Sequence, residues 1–183
     1  GGIITTNSKK ISNDLKIFRE HGITRLFKKT LRPKYYEQVK LGYNYRMNDV
    51  QAALGIEQLK KLDKYNTIRR KLFKRYEKFL TNKIIKPKFF NNYLSSHHLY
   101  VILLKFNKIK LRDKLIEHLI KNKIGCNIHY MPIYKHPFYK KKSYKTLINS
   151  EIYYKNCISI PLHQSLKIKE QDYIINIINN YFK

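Results

Sequence analysis

The chain has 183 residues, enough to bury a full core, and carries a formal net charge of +27. That surplus does not by itself mark a nucleic-acid binder. Lysine, isoleucine, asparagine and tyrosine make up about half of the sequence, and the lysines are spread along it, with one short run at 140–142 that reads as a solvated loop. Cys126 and Cys157 form neither a CxxC pair nor a metal motif and read as two buried thiols of a reducing cytosol. The longest apolar run, Leu99 to Leu104, stops at Lys105, far short of a membrane span.

Taken in order, residues 1–7 favour extension through Ile3, Ile4, Thr5 and Thr6 and predict a short β segment. Asn7 or Ser8 can cap a helix whose apolar Ile11, Leu15 and Phe18 share a face, with Gly22 as its stop. Residues 23–40 are basic and irregular, contain Pro33 and the pair Tyr35-Tyr36, and predict a surface loop. A helix over 48–61 follows. Asn48 and Gln51 stand three apart at its start, where amide side chains can satisfy free backbone donors. Val50, Ala53, Leu54, Ile56 and Leu59 give it a broad apolar face, and Ala52, Ala53 and Gly55 let another backbone come close. A second helix over 63–80 carries Tyr65, Ile68, Leu72, Tyr76 and Phe79 on one side.

Residues 81–96 read as a linker rich in Asn, Ser and Pro. Beyond it the pattern predicts strand 98–106, helix 110–122, strand 124–130, loop 131–149, helix 150–155, strand 157–161 and helix 168–182. Strands followed by packing helices describe a small α+β domain.

Two groups of residues carry candidate chemistry. Asn44 and Arg46, on a loop between tyrosines, can present an amide and a forked cation to a ligand; Arg46 can equally be an ion pair holding the loop. Asn127, Ile128, His129 and Tyr130 end a strand just before Pro132; alternation keeps all four side chains from facing one way, and a lone histidine is more often a hydrogen-bonded structural residue. His97, His98 and His136 lack metal-like spacing. Asp113, Glu117, Glu151, Glu170 and Asp172 read as solvated charges on helix surfaces.

GYNYRMNDVQAALG at 42–55 resembles the signature of the DegT/StrS-type sugar aminotransferases, and the likeness continues through GGIITTN at 1–7, FREHGI at 18–23, SSHHLYVILL at 95–104, NIHYMPIY at 127–134 and EIYYKNCISIPLH at 151–163. Where many relatives read Trp-His-Leu-Tyr, this chain has His97-His98-Leu99-Tyr100. The resemblance implies an α/β fold, the C-terminal portion of a fold-type-I transferase dependent on pyridoxal 5'-phosphate. Residues 1–62 would end the cofactor-binding large domain, 63–81 would be a connecting helix, and 82–183 a small α+β domain.

It also implies roles. Asn44 would reach across a homodimer interface to the cofactor phosphate of the neighbouring subunit, with Arg46 beside it, and the segment Asn127, Ile128, His129 and Tyr130 would line the nucleotide-sugar site. The wording is most similar to the branch serving pseudaminic acid synthesis, which implies a UDP-linked 4-keto-6-deoxy sugar as substrate, glutamate as amino donor and a cytoplasmic enzyme. In the family the cofactor-bearing lysine lies just upstream of a Gly-Gly pair. A chain that opens at Gly1-Gly2 without Met reads as a C-terminal fragment, with no catalytic residue of its own and expected to be inactive alone. Two other readings compete: a basic nucleic-acid-binding module, and a non-catalytic dimerisation or regulatory piece of a relative.

Overall fold

The computed structural model describes residues 2–24, 36–88, 93–105, 109–139 and 147–183. The chain divides into two units, Gly1–Lys61 and Leu62–Lys183.

In the first unit, Ser8 starts helix α1 (Lys9–Phe18), its Oγ accepting the Ile11 N–H at 3.3 Å. The β segment predicted before it is not formed: residues 2–8 pair with no strand among the described residues, and Ile3 and Ile4 lie exposed. Extended propensity alone does not make a strand without a ladder to join. After α1, His21 and Gly22 both take positive φ, 61° and 73°, and turn the chain back. Part of the predicted loop is then a two-residue ladder, β1 (Ile23–Thr24) against β2 (Glu37–Gln38), antiparallel with Ile23 opposite Gln38. Pro33, Tyr35 and the lysine run at 140–142 lie outside the described residues.

Helix α2 runs unbroken from Asp49 to Phe79, 31 residues, where the sequence predicted two helices meeting near residue 62. Leu62-Asp63 contains neither proline nor glycine, and the ladder continues through it; Thr67 adds a side-chain bond to the Asp63 carbonyl at 2.9 Å. The start matches expectation. The Gln51 N–H donates to Asn48 Oδ1 at 2.9 Å and the Asn48 N–H donates to Gln51 Oε1 at 3.2 Å, a reciprocal capping box. The expected apolar residues behind it are not buried: Val50 is 80 % exposed and Leu54 61 %. Ile56 and Leu59 are open too, so the segment is apolar around most of its circumference and uncovered in this chain.

In the second unit the later turns of α2 bury Leu72, Phe73 and Tyr76 against a three-stranded antiparallel sheet of order β3 (Ile84–Ile85), β4 (Tyr100–Leu104), β5 (Cys157–Ile160). β3 lies inside the stretch read as a linker. The register sets Ile84 opposite Leu104 and Tyr100 opposite Ile160. β4 alternates buried and half-buried residues, whereas every residue of β5 is buried. Helices α3 (Ile109–Lys121), α4 (Ile148–Asn156) and α5 (Ile168–Tyr181) complete the layer, with Leu115, Leu119, Ile174, Ile175 and Ile178 in the core. Gln171, fully buried, is satisfied at both ends: it donates to the Leu72 carbonyl at 2.7 Å and accepts from Arg75 Nε at 3.0 Å. His97 stacks on Phe73 with ring centroids 4.0 Å apart.

The predicted strand 124–130 reduces to one bridge. The Asn127 N–H donates to the Ser159 carbonyl at 3.1 Å, and the Ser159 N–H returns to the Asn127 carbonyl at 2.8 Å. The segment thus lies along the edge of β5 without extending the ladder. The loop that follows contains a 3-10 turn, Ile133–Lys135. Cys126 and Cys157 are both free thiols, and burial raises the pKa of each. Among the described residues no helix is long and apolar enough to cross a membrane, and no cluster of residues could hold a metal ion.

Candidate functional site

The first part of the loop 41–48 is tied to the end of α1 and the turn after it by backbone hydrogen bonds. The His21 N–H donates to the Tyr43 carbonyl at 2.9 Å, the Tyr43 N–H to the Phe18 carbonyl at 2.7 Å, and the Tyr45 N–H to the Arg19 carbonyl at 3.0 Å; Glu20 and Asn44 form an isolated bridge. The two sequence blocks FREHGI and GYNYR are therefore one structure. Gly22 and Gly42 make this approach possible: a Cβ on Gly42 would lie 2.0 Å from the Gly22 nitrogen. Tyr43 and Tyr45 stack at 4.8 Å on the outside.

The loop presents its two candidate residues differently. Arg46 is already engaged, Nη1 donating to Glu20 Oε2 at 3.1 Å with Nη2 3.3 Å from His21 Nε2. Its observed role is the ion pair. The Asn44 side chain is exposed and makes no hydrogen bond among the described residues, on a loop tied by backbone hydrogen bonds at Tyr43 and Tyr45. An uncommitted amide donor on a clamped loop fits a phosphate oxygen; a guanidinium already paired with a carboxylate fits it less well.

The second group lies in the other unit. Asn127 is spent locally: its backbone pairs with Ser159 and its Oδ1 accepts the Ile128 N–H at 2.7 Å. The half-buried His129 sets Nδ1 2.6 Å from Ser159 Oγ, which fixes the ring and leaves Nε2 without a partner among the described residues. The His129–Tyr130 peptide is cis, and Tyr130 is 71 % exposed. Of the four residues, His129 Nε2 and the Tyr130 hydroxyl have no hydrogen-bond partner among the described residues. A cavity of about 460 Å³ opens beside them, lined by Tyr130, Pro132, Tyr134, Asn149, Ser150 and Tyr153, among others. Its aromatic walls and few polar groups are of the kind that holds a small molecule.

Sequence reasoning missed Ser159, although one polar residue inside the apolar strand CISI was a visible signal. It also read Glu151 as a solvated charge. Glu151 is in fact largely covered, its side chain 12 % exposed, and is bonded to Lys135 and Tyr134. The Lys135 ammonium first, and the Tyr134 hydroxyl after it, hold the Glu151 carboxyl below its ordinary range. Asp172 and Asp113 pair with Arg75 and Arg112, while Glu170 accepts the Lys167 N–H at 2.7 Å and caps α5.

Comparison with known proteins shows the family of the chain. The model of the DegT/DnrJ/EryC1/StrS aminotransferase family matches residues 1–179. A Campylobacter jejuni UDP-4-amino-4,6-dideoxy-N-acetyl-beta-L-altrosamine transaminase is 38% identical over 95% of this chain and 46% of its own length. Helicobacter pylori PseC, an aminotransferase of pseudaminic acid biosynthesis, superposes with a TM-score of 0.85 at 27% identity, over 97% of this chain and 47% of that one. A Streptococcus pneumoniae sugar aminotransferase homologue in its PMP form gives 0.86 at 26% identity, over 96% and 45%. This chain spans about half the length of the relatives it matches. Its mixed α/β fold matches about half of each of these transferase chains, and the chain belongs to the DegT/DnrJ/EryC1/StrS aminotransferase family.

Proposed function

We propose that this chain is the C-terminal portion of a nucleotide-sugar aminotransferase, which transfers an amino group from glutamate to a UDP-linked 4-keto-6-deoxy sugar. The observation that carries the reading is the Asn44 loop: a clamped backbone offering one uncommitted amide, directly before a helix whose apolar surface is open. Similarity to transaminases of the altrosamine type supports the choice of substrate. Residues 1–62 belong in this reading to the cofactor-binding domain and 82–183 to the small domain.

Pyridoxal phosphate, when bound, supplies the electron sink that amino transfer needs. Asn44 would donate its amide N–H to a phosphate oxygen of that group, and Arg46 would support it indirectly by tying the loop to Glu20. The exposed Val50, Leu54 and Ile56 would be covered in a homodimer, and Asn44, just before them, would then lie near a subunit boundary. His129 would hydrogen-bond a sugar hydroxyl or a phosphate oxygen through Nε2, since Ser159 occupies Nδ1. Tyr130 would add a second contact from the same segment. The strongly basic surface would raise the local concentration of an anionic substrate.

The test is direct. The family-length protein, given the UDP-linked keto sugar and isotope-labelled glutamate, should yield an amino sugar carrying the labelled nitrogen. An unmodified sugar, with the cofactor bound and the protein folded, would reject the substrate. Mixing Asn44→Ala subunits with subunits lacking the cofactor lysine should restore activity in hybrid dimers if Asn44 acts across the interface; hybrids without activity would reject that role. The chain alone should be inactive, and turnover by it would contradict the reading.

A further inference from the structure

We propose that Glu151 is a positioning residue for sugar binding: by gripping Lys135 and Tyr134 it locks onto α4 the turn that follows Tyr130 and forms one wall of the cavity. The proposal rests on the reading that residues 127–130 line the nucleotide-sugar site.

Glu151 differs from the other paired carboxylates. Asp14, Glu20, Glu57, Asp113 and Asp172 keep between 33 % and 53 % of their side chains exposed, against 12 % for Glu151. Both of its oxygens are used. Oε2 lies 2.5 Å from Lys135 Nζ, and Oε1 accepts the Tyr134 hydroxyl at 2.9 Å. Both partners stand on the 3-10 turn that directly follows the candidate segment. With both oxygens engaged by those two donors, removing the carboxylate leaves Lys135 without its counter-charge and the turn without its anchor.

The anchor itself is braced. Lys135 Nζ lies 5.6 Å and the Arg112 guanidinium 5.1 Å from the centre of the Tyr154 ring, and Arg112 donates to the Tyr154 carbonyl at 2.7 Å. Arg112 is only 4 % exposed, so α4 is pinned to α3 from the core side. α4 runs straight into β5, whose Ser159 holds His129. The stretch 129–135 is therefore held at both ends, by Ser159 at His129 and by Glu151 at Tyr134 and Lys135. Tyr130 lies between the two holds. Releasing one of them lets a ligand-facing side chain move, and small misplacements weaken binding.

Steady-state kinetics of the family-length enzyme, with sugar and glutamate varied in turn, tests this. Glu151→Ala should raise the KM for the UDP-sugar about five- to tenfold and leave the KM for glutamate within about twofold. Glu151→Gln, which keeps an acceptor for Tyr134, should recover part of the loss. The exchange of Lys135→Glu with Glu151→Lys, which restores the pair, should recover more than either change alone. A lower melting temperature with an unchanged sugar KM would overturn the proposal, as would an equal rise for both substrates. Should Glu151→Ala not fold, Tyr134→Phe removes a single bond and should still raise the sugar KM about twofold; no rise would overturn it. His129→Ala separates the two levels of inference. If His129→Ala impairs sugar binding and Glu151→Ala does not, the positioning role fails alone; if neither does, the underlying site assignment fails with it.

Discussion

Gly22 and Gly42 pass backbone against backbone. A Cβ on Gly22 would meet the Lys40 carbonyl oxygen at 1.7 Å, and one on Gly42 would meet the Gly22 nitrogen at 2.0 Å. Neither obstacle is a flexible side-chain tip, so neither can swing aside. This contact joins the turn after α1 to the loop bearing Asn44, and it explains why two separate motifs of the sequence each contain a glycine.

Gly42→Ala should therefore destabilise the first unit by about 2–3 kcal/mol, with faster proteolysis across residues 36–48. Gly55→Ala is the contrasting case. It lies within α2, with nothing inside 4 Å of the added carbon, and should stabilise the helix by about 0.5–1 kcal/mol. Denaturant titration of both variants checks the pair.

Asn48→Ala should cost about 1 kcal/mol and fray the first turn of α2, because it removes the acceptor for the Gln51 N–H. Amide hydrogen exchange should show the loss confined to residues 48–52. A uniform loss of protection along α2 would contradict a local capping role.

Asn44 and Arg46 should separate cleanly. Arg46→Ala breaks an exposed ion pair and should lower stability by no more than about 1 kcal/mol. Asn44→Ala removes a side chain with no partner among the described residues and should change stability by less than about 0.5 kcal/mol. Cofactor retention by the family-length protein should show the reverse order, with Asn44→Ala the more damaging. Equal retention by both variants would contradict the assignment of the amide.

Ser159→Ala removes the partner of His129 Nδ1 and should cost about 1 kcal/mol. The freed imidazole should sample more than one orientation, visible as broadened ring-proton signals by nuclear magnetic resonance. Sharp, unshifted signals would show that the ring is held by packing instead.

The Glu151 contacts should be insensitive to pH over a wide interval. The Glu151 carboxyl is held below its ordinary value of 4.5, so its contribution is present above that value and fades as pH falls through the lowered one. Lys135 is raised above 10.5 by its bond to Glu151, so its contribution is complete below 10.5 and is lost as pH rises through the raised value. Tyr134, raised by desolvation and by Glu151, keeps its proton and its role as donor through neutral pH. Difference titrations of the native chain and Lys135→Met should coincide near neutrality and diverge only toward the acid and alkaline ends. A midpoint near neutral pH would mean that another group controls the turn.

The sequence alone was enough to read the features that depend on near neighbours. The cap of α2 needs two amides three residues apart, and the helices α3 and α5 need only their apolar period, so both were legible to within a residue or two. The family motifs were legible for a different reason, since their words survive in order along the chain. Tertiary structure decided everything that rests on distant partners. Ser159 reaches His129 across 30 residues, Glu151 grips a turn 16 and 17 residues back, and Gly42 is required by Gly22. It also decided that the apolar start of α2 stays open and that residues 124–130 make one bridge and no strand. Periodicity shows which residues want to leave water, but where they go depends on which surface arrives to cover them, and that is a property of the folded assembly.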